Sequence, residues 1–559
     1  MIVMSTGAEK LVRTLEEHDV EYVFGVCGDT SVGLYRAFAE MDTDIDHILA
    51  RDERSAGFMA DAYARLSNKP GVCEGPSGGG ATYLIPGIVE ANDSNVPVIG
   101  LNTIIPIRYR GRGVLTELDQ VSLFDPLTKW NTAIEHPEEV PRKVRDAFRH
   151  ATSGVPGATH LSLPMDVLDG DSTAEVYAPK ETTSYPAYRP TPATEQLDQA
   201  VQLLEESQKP VIVAGGGVHS SEAWYDLKDF AGQNGIPVAQ TLTSIGCIGE
   251  SPYSIGVVGE NGFREYADEI VDEADLLLLF GTAVESVWTE KWSHPPDRAK
   301  QIIHADIDAE AIGKNYETTV ALPGDLRKTI HGLRERTEGK QKWDDSKLIS
   351  RHEAWVGEYE AQFESTEFPI RPERMVAGAN KVLDREAVII SDPGTSAPYF
   401  AALYDFTEPG RHWLTPRAHG ALGYTIPAVI GAHYARPDRQ IVGFTGDGSV
   451  GTSLGELETL ARLDLPVTVV VVNNGSFSWI EAGQRNYADF SFGIDFDSTN
   501  YAEVANEFGI AGYRVENAAD YEKTLQKAIN EPGPAVVDLP TRPLPTIDNV
   551  PVDWLEPGE

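Results

Sequence analysis

Ile441-Val442-Gly443-Phe444-Thr445-Gly446-Asp447-Gly448-Ser449, with Asn473-Asn474 ending the next apolar run, is the stretch that decides how this chain folds. An acidic or amide residue stands where each run of mostly β-branched residues stops, at 441–445 and at 467–472. Between the runs, Leu454, Leu457, Leu460 and Ala461 recur at helical spacing, so the unit reads strand, helix, strand. Strands joined by such a crossover are parallel and adjacent. Asp447 and Asn474 are therefore predicted side by side on the carboxyl edge of one sheet, where open α/β sheets bind ligands. An Asp carboxylate, an Asn carbonyl and the backbone carbonyl of Ser476 form an all-oxygen set suited to Mg²⁺. Gly446 and Gly448 let backbone approach a phosphate, and a helix predicted to begin near Ser453 turns its amides toward it. The competing reading is a glycine-rich turn and a polar strand end in an ordinary α/β protein.

With 559 residues the chain exceeds a single core and implies about three domains. A hydrophobic content of 41% and 36 prolines fit a globular enzyme. No apolar run approaches the roughly 20 residues of a membrane span. Residues 1–10 lack a basic region followed by an apolar one, so no signal peptide is expected. Cys27, Cys73 and Cys247 have no paired spacing, which points to a reducing cytoplasm and away from zinc. The net charge of −40, from 86 acidic and 46 basic residues, is spread along the chain, as in Asp272-Glu273-Ala274-Asp275 and Asp344-Asp345. Such a surface repels nucleic acid and anionic membranes, so neither is expected as a partner. It is similar to the adaptation of salt-loving organisms, where ambient salt screens self-repulsion. The charge informs about habitat and not about chemistry.

Strand and helix signals alternate in three blocks, which predicts an α/β protein of three doubly wound parallel-sheet domains. The expected domains are 1–178, 193–335 and 350–547, separated by a Pro/Thr/Ser/Tyr-rich linker at 179–192 and a polar one at 335–347. In the first block, 48–50 reads as a short strand and 56–65 as a helix, with Glu53 in the turn between them.

Several motifs then converge. A GDG whose Asp447 is followed 27 residues later by the second Asn of an NN pair resembles the diphosphate motif of thiamine diphosphate (ThDP) enzymes. Glu53, followed by Ala56, Met59, Ala60, Tyr63, Ala64 and Arg65, resembles that family's pyrimidine-domain signature. Gly71-Val72-Cys73-Glu74-Gly75-Pro76-Ser77-Gly78-Gly79-Gly80-Ala81-Thr82 is similar to the family's GVCxxTSGPGAT, with Pro76 and Gly79 departing from it. No GK[ST] accompanies the glycines, which argues against a P-loop. The resemblance spans 5–165 and 375–545, and most closely suggests the acetolactate synthase large subunit and 2-oxo acid decarboxylase type.

The resemblance implies ThDP and Mg²⁺ as cofactors, with Asp447, Asn474 and Ser476 holding the metal. It implies Glu53 as the catalytic glutamate, bonded to the cofactor's aminopyrimidine ring. Gly28, Asp29, Gly394, Thr395, Ser396, Gly420, Gly446, Gly448, Ser449 and Phe477 are expected around the cofactor. Leu422 would bend it; the alternative for Leu422 is a core leucine, and for 392–396 a plain turn. His18, His47 and His160 read as structural or surface residues.

The reaction within the family is less legible. In the segment that reads PxxxIGTDAFQE in acetolactate synthase-like carboligases, only Pro106, Gly111 and Glu117 are identical, and Leu115-Thr116 replace the Phe-Gln pair. Simple decarboxylases carry an Asp that Gly28-Asp29 offers, but their His-His pair is absent and Ile480 stands at their glutamate's position. An RFDDR-like run is missing after 276–280, so FAD is not expected; Asp306 and Asp308 are a weak adenine-nucleotide signal. The expected activity is carboligation after decarboxylation of a small 2-oxo acid. The alternatives are a non-ligating decarboxylase, a ThDP-dependent lyase or oxidase, and a catalytically silent ThDP-binding subunit. Relatives place active sites between subunits, which implies a homodimer or homotetramer and, as a further partner, a small regulatory subunit.

Overall fold

The computed structural model describes residues 5–259, 262–295 and 300–544. Residues 1–4 and 545–547 of the expected outer domains lie outside the described residues. Three six-stranded sheets organise the rest, and every strand pairing within them is parallel. Numbered along the chain, the first sheet runs 2-1-3-4-6-5 from Asp46–Leu49 to Trp130–Ala133. The third repeats that order from Trp413–Leu414 to Ala511–Arg514. The central sheet runs 3-2-1-4-5-6, with its switch point between Pro210–Ala214 and Leu276–Phe280.

The valine-rich strand Val467–Asn473 shows why a parallel sheet suits this sequence. Its residues alternate between two apolar cores instead of between core and water. Val469 and Val471 belong to a cluster shared with Phe24, Ala56, Met59 and Leu84 of the first domain. Val470 and Val472 belong to a cluster shared with Val213, Leu278 and Phe280 of the central domain. The third sheet is thus sandwiched between the other two domains. The outer face of the first sheet has a core of its own, around Leu11, Val144 and Phe148.

Since the outer sheets have the same strand order, their second-to-third crossovers are equivalent: the helices Glu53–Ser67 and Thr425–Ala435. These two helices pack against each other. Glycines permit the close approach. A Cβ at Gly431 would overlap the Met59 carbonyl, and one at Gly57 would come within 2.8 Å of the Gly87 backbone in the next helix, Gly79–Asp93. Gly431→Ala therefore inserts a methyl group where backbone already sits. It is expected to lower the stability of the protein by about 1–3 kcal/mol, read as an earlier midpoint in urea unfolding; an unchanged midpoint would show that this crossing tolerates extra volume.

Candidate functional site

In the parallel register, Gly446 lies opposite Val472, so Asp447 and Asn473-Asn474 leave the third sheet together, as the spacing predicts. The helix after the first strand begins at once, Asp447–Ser453, with Gly446 at its N-cap, six residues before the start expected from the apolar period. Asp447 is consequently a first-turn acid at a helix N-terminus. Its Oδ1 accepts from Gly448 N–H at 2.9 Å, and its Oδ2 accepts from Asn474 N–H at 2.9 Å and Gly475 N–H at 2.6 Å. Burial raises its pKa, against the pull of those amides. No Lys or Arg is paired with it among the described residues. Asn474 Oδ1 accepts from Ser476 N–H at 3.1 Å, while its Nδ2 donates to Ser478. A buried carboxylate without a cation, beside an amide oxygen, fits a divalent metal of the Mg²⁺ type. Among the described residues no group of three or more His, Cys, Asp or Glu is placed to hold a metal, so such a site rests on one carboxylate.

Other residues of the same edge surround this pair. Gly448 must be glycine because the Phe477 ring lies where its Cβ would be. Phe477 is partly exposed and packs edge-on against Phe496 at 5.3 Å. Ser449 is buried, and the space over Gly446 and Gly420 is open. Gly394 has φ +126°, a conformation that glycine adopts freely. Thr395 and Ser396 begin the helix Ser396–Leu403. The Ser396 hydroxyl bonds Ser391 at 2.7 Å and that of Thr395 bonds Ser478 at 3.2 Å, which leaves their backbone amides as the free donors. Leu422 is half-buried and is not part of any of the three apolar clusters, which sets it apart from a core leucine.

Asp392 joins these segments, a role the sequence reading missed. It is fully buried and accepts from Tyr424 N–H at 2.8 Å and the Thr445 hydroxyl at 2.7 Å. One carboxylate therefore fixes the ends of 392–396, 420–424 and 441–446. The available signal was an Asp ending the apolar strand Val388–Ser391.

The first domain presents a second cluster. Glu53 is the first residue of the Glu53–Ser67 helix, capped by Asp52, and not part of the turn before it. Only 8% of it is exposed. A Cβ at Gly75 would lie 3.1 Å from Glu53 Cγ, and one at Gly80 would lie 2.9 Å from Oε1, so glycine backbone forms its cradle. Burial raises the Glu53 pKa, helped by the charges of Asp52 and Glu74. Asn102 holds the Gly75 carbonyl at 3.0 Å. Across the chain, Glu456 accepts from Arg51 N–H at 3.0 Å and the Arg54 guanidinium donates to the Thr452 carbonyl, tying this helix start to the third domain. Gly28 faces the Pro76 ring, and Asp29 is exposed beside it. No hydrogen bond or ion pair joins Glu53 to the Asp447–Asn474 cluster among the described residues.

All three histidines are held by neighbouring side chains or backbone, as a structural reading expects. His160 stacks on Phe124 at 3.8 Å, and burial lowers its pKa to about 3. His18 stacks on Phe148, its pKa lowered to about 4 chiefly by burial. His47 is half-buried and bonds Tyr35 and Glu74. In the central domain, Asp306 closes the turn to Asp308 N–H at 2.8 Å, and burial raises its pKa to about 6.

Comparison with known proteins adds the family. Residues 5–123 match the N-terminal TPP binding domain of thiamine pyrophosphate enzymes, 197–333 their central domain, and 392–539 their C-terminal TPP binding domain. The chain is 32% identical to a probable acetolactate synthase large subunit of Methanocaldococcus jannaschii, over 98% of this chain and 93% of that one. It is 31% identical to the acetolactate synthase isozyme 1 large subunit of Escherichia coli, over 96% and 93%. It is 32% identical to the chloroplastic acetolactate synthase of Arabidopsis thaliana, over 95% and 81%.

The raised value at Glu53 has a consequence for the cofactor-free protein. A carboxyl whose folded pKa exceeds its unfolded one favours folding only while protonated, and that contribution is lost as pH rises through the folded value. Glu53→Gln should therefore raise the thermal midpoint at neutral pH, with the gain vanishing below the usual glutamate range. A gain that does not vary with pH would exclude this cause.

Proposed function

The chain belongs to the thiamine pyrophosphate enzyme family, and from that premise we propose that it decarboxylates a small 2-oxo acid and ligates the product to a second carbonyl. The similarity to acetolactate synthase large subunits over nearly the whole chain supports ligation over simple decarboxylation. The observation that carries the reading is the Glu53 carboxylate, buried in a cradle of glycine backbone that larger residues would fill.

In this reading Asp447, Asn474 and the Ser476 carbonyl hold Mg²⁺. The amides of Gly394, Thr395 and Ser396, with backbone at Gly420, Gly446, Gly448 and Ser449, hold the diphosphate of ThDP. Leu422 and Phe477 wall the middle of the cofactor, and Gly28 and Asp29 border the substrate side. When bound, the cofactor supplies a nucleophilic carbon and an electron sink for decarboxylation. Glu53 is the residue that would share a proton with the aminopyrimidine ring, and burial, which raises its pKa, favours its holding that proton. Glycine backbone and Pro76 exclude water from the carboxylate.

Within one chain no hydrogen bond or ion pair joins Glu53 to the Asp447–Asn474 cluster among the described residues, which supports sites completed across a homodimer or homotetramer. A small regulatory subunit is a further partner that the relatives' designation as large subunits suggests. Flavin has no part in this reading, since residues 281–295 after the fourth central strand contain no arginine. The acidic surface fits a salt-rich cytoplasm.

With ThDP and Mg²⁺ added, the protein should release CO₂ from a panel of 2-oxo acids and yield an acyloin-type acid. Release of free aldehyde alone would reject ligation. Glu53→Gln should reduce turnover by at least about 100-fold, and Asp447→Ala should abolish ThDP binding. Mixing the two inactive variants under subunit exchange should restore roughly a quarter of the sites; no recovery would place both residues in one subunit's site.

A further inference from the structure

We propose that His47, Tyr35 and Glu74 form a proton path from solvent to the floor of the Glu53 site. The function of this path rests on the 2-oxo acid chemistry proposed above. That chemistry has a proton requirement: joining two 2-oxo acid anions into one acyloin-type anion with loss of CO₂ consumes one proton per turnover. Decarboxylation to an aldehyde consumes one as well. A water-poor pocket must import it.

Glu74 is the residue that stands out. It lies in the strand Gly71–Gly75, between Cys73 and Gly75, and is fully buried. An apolar side chain would satisfy packing there, and an isolated buried carboxylate is costly. No lysine or arginine pairs with it among the described residues. Instead the Tyr35 hydroxyl donates to its Oε1, and His47 Nε2 lies 3.2 Å from the same oxygen and 2.9 Å from the Tyr35 hydroxyl. The Tyr35 and His47 rings are 4.8 Å apart. Gly25 on the adjacent strand leaves room for this carboxylate, since a Cβ there would overlap Oε1. The other oxygen, Oε2, is buried with no hydrogen-bond partner among the described residues.

The three groups run from wet to dry. The His47 side chain is 14% exposed, whereas that of Glu74 is 0%. Gly75, the next residue, forms part of the Glu53 cradle, and the charge of Glu74 acts on Glu53. Burial, then the charge and hydrogen bond of Glu74, keep the Tyr35 phenol protonated, with Cys27 and Glu53 adding in the same sense; Tyr35 is therefore a donor. In one transfer the Tyr35 O–H proton passes to Glu74, the His47 Nε2–H proton passes to the Tyr35 oxygen, and His47 recovers a proton from water. Counting the water, two O–H bonds and one N–H bond break and the same number form, leaving hydroxide in solvent and one proton on Glu74 Oε1; rotation of the carboxyl then carries that proton to the side where Oε2 had no hydrogen-bond partner among the described residues.

The test uses the intact protein with ThDP, Mg²⁺ and pyruvate as the probe. Tyr35→Phe, which removes only the hydroxyl, and Glu74→Gln should each lower turnover by about 10- to 100-fold while leaving ThDP affinity unchanged. Small diffusible acids, imidazole and formic acid, should restore a large part of the loss, which a merely structural defect would not allow. Unchanged turnover, or a loss that neither acid restores, would overturn the proposal. Should Glu74→Gln fail to fold, Tyr35→Phe decides alone. A second arm needs no cofactor: the infrared C–O band that Tyr35→Phe removes reports the Tyr35 hydroxyl, and its exchange with D₂O should be slower in His47→Asn. Equal exchange would reject the path. A wild-type protein that consumes no 2-oxo acid would refute the proposed function, while the infrared arm still judges the path.

Discussion

The crossing of the helices Glu53–Ser67 and Thr425–Ala435 is the contact on which the rest depends. Glycine brings the backbones together, and a buried ionic cluster locks the pair. Arg65 Nε lies 2.8 Å from Asp61, and its Nη2 lies 3.0 Å from Glu90. The Tyr424 hydroxyl donates to Asp61 at 2.7 Å, and His419 N–H donates to Glu90 at 2.8 Å. Asp61 and Glu90 are fully buried, so neither charge can fall back on water if a partner is removed. Breaking such a cluster costs about 3–5 kcal/mol even where building it gains little. Its value here lies in position. The helix that begins with Glu53 grips, two turns later, the segment that carries Leu422. Tyr424 is held from both sides, by Asp61 through its hydroxyl and by Asp392 through its amide. A shift of the first domain is therefore transmitted to the edge of the third.

This coupling follows from the repeated topology. Because the outer sheets share one strand order, their equivalent helices meet face to face, and each sheet has a carboxyl edge of the kind at which open α/β sheets bind ligands. The alternating strands of the third sheet then bind it to the first domain on one face and to the central domain on the other. A sheet buried on both faces has few ways to relax, so the loops at its edge inherit a rigid base. Rigid elements are where a cofactor site needs its first contacts.

The parts of this design that were legible in the sequence are those carried by local spacing. The Asp447–Asn474 pair followed from two apolar runs and the helix between them, and the family from motifs at Glu53 and Gly71-Val72-Cys73. Helix starts were less legible. Glu53 and Asp447 are each the first residue of a helix, where an acid favoured by the dipole reads equally well as a turn residue. Asp392, Glu90 and Glu456 were not legible at all. The bonds that latch them to the segments they join, to Tyr424, His419 and Arg51, span 32 to 405 residues, and nothing local marks an Asp or Glu as a latch. The contact of His47 with Glu74 was equally hidden, since the two lie 27 residues apart and Glu74 stands at a variable position of the motif.

Charge at this edge is arranged at the expense of stability. Glu53, Asp392, Asp447 and Glu456 all have pKa values raised first by burial. Burial disfavours the charged form of each, and no basic side chain pairs with Glu53, Asp392 or Asp447 among the described residues. A fold selected for stability alone would place an arginine there, as it does at Asp61 and Glu90. Leaving the carboxylates without cations keeps the edge able to take up positive charge from a ligand. A divalent metal and a cofactor with a cationic ring that bind only the folded state would return that stability through linkage. The edge is thus least favourable when empty, which is the usual cost of preorganising a site before its ligand arrives.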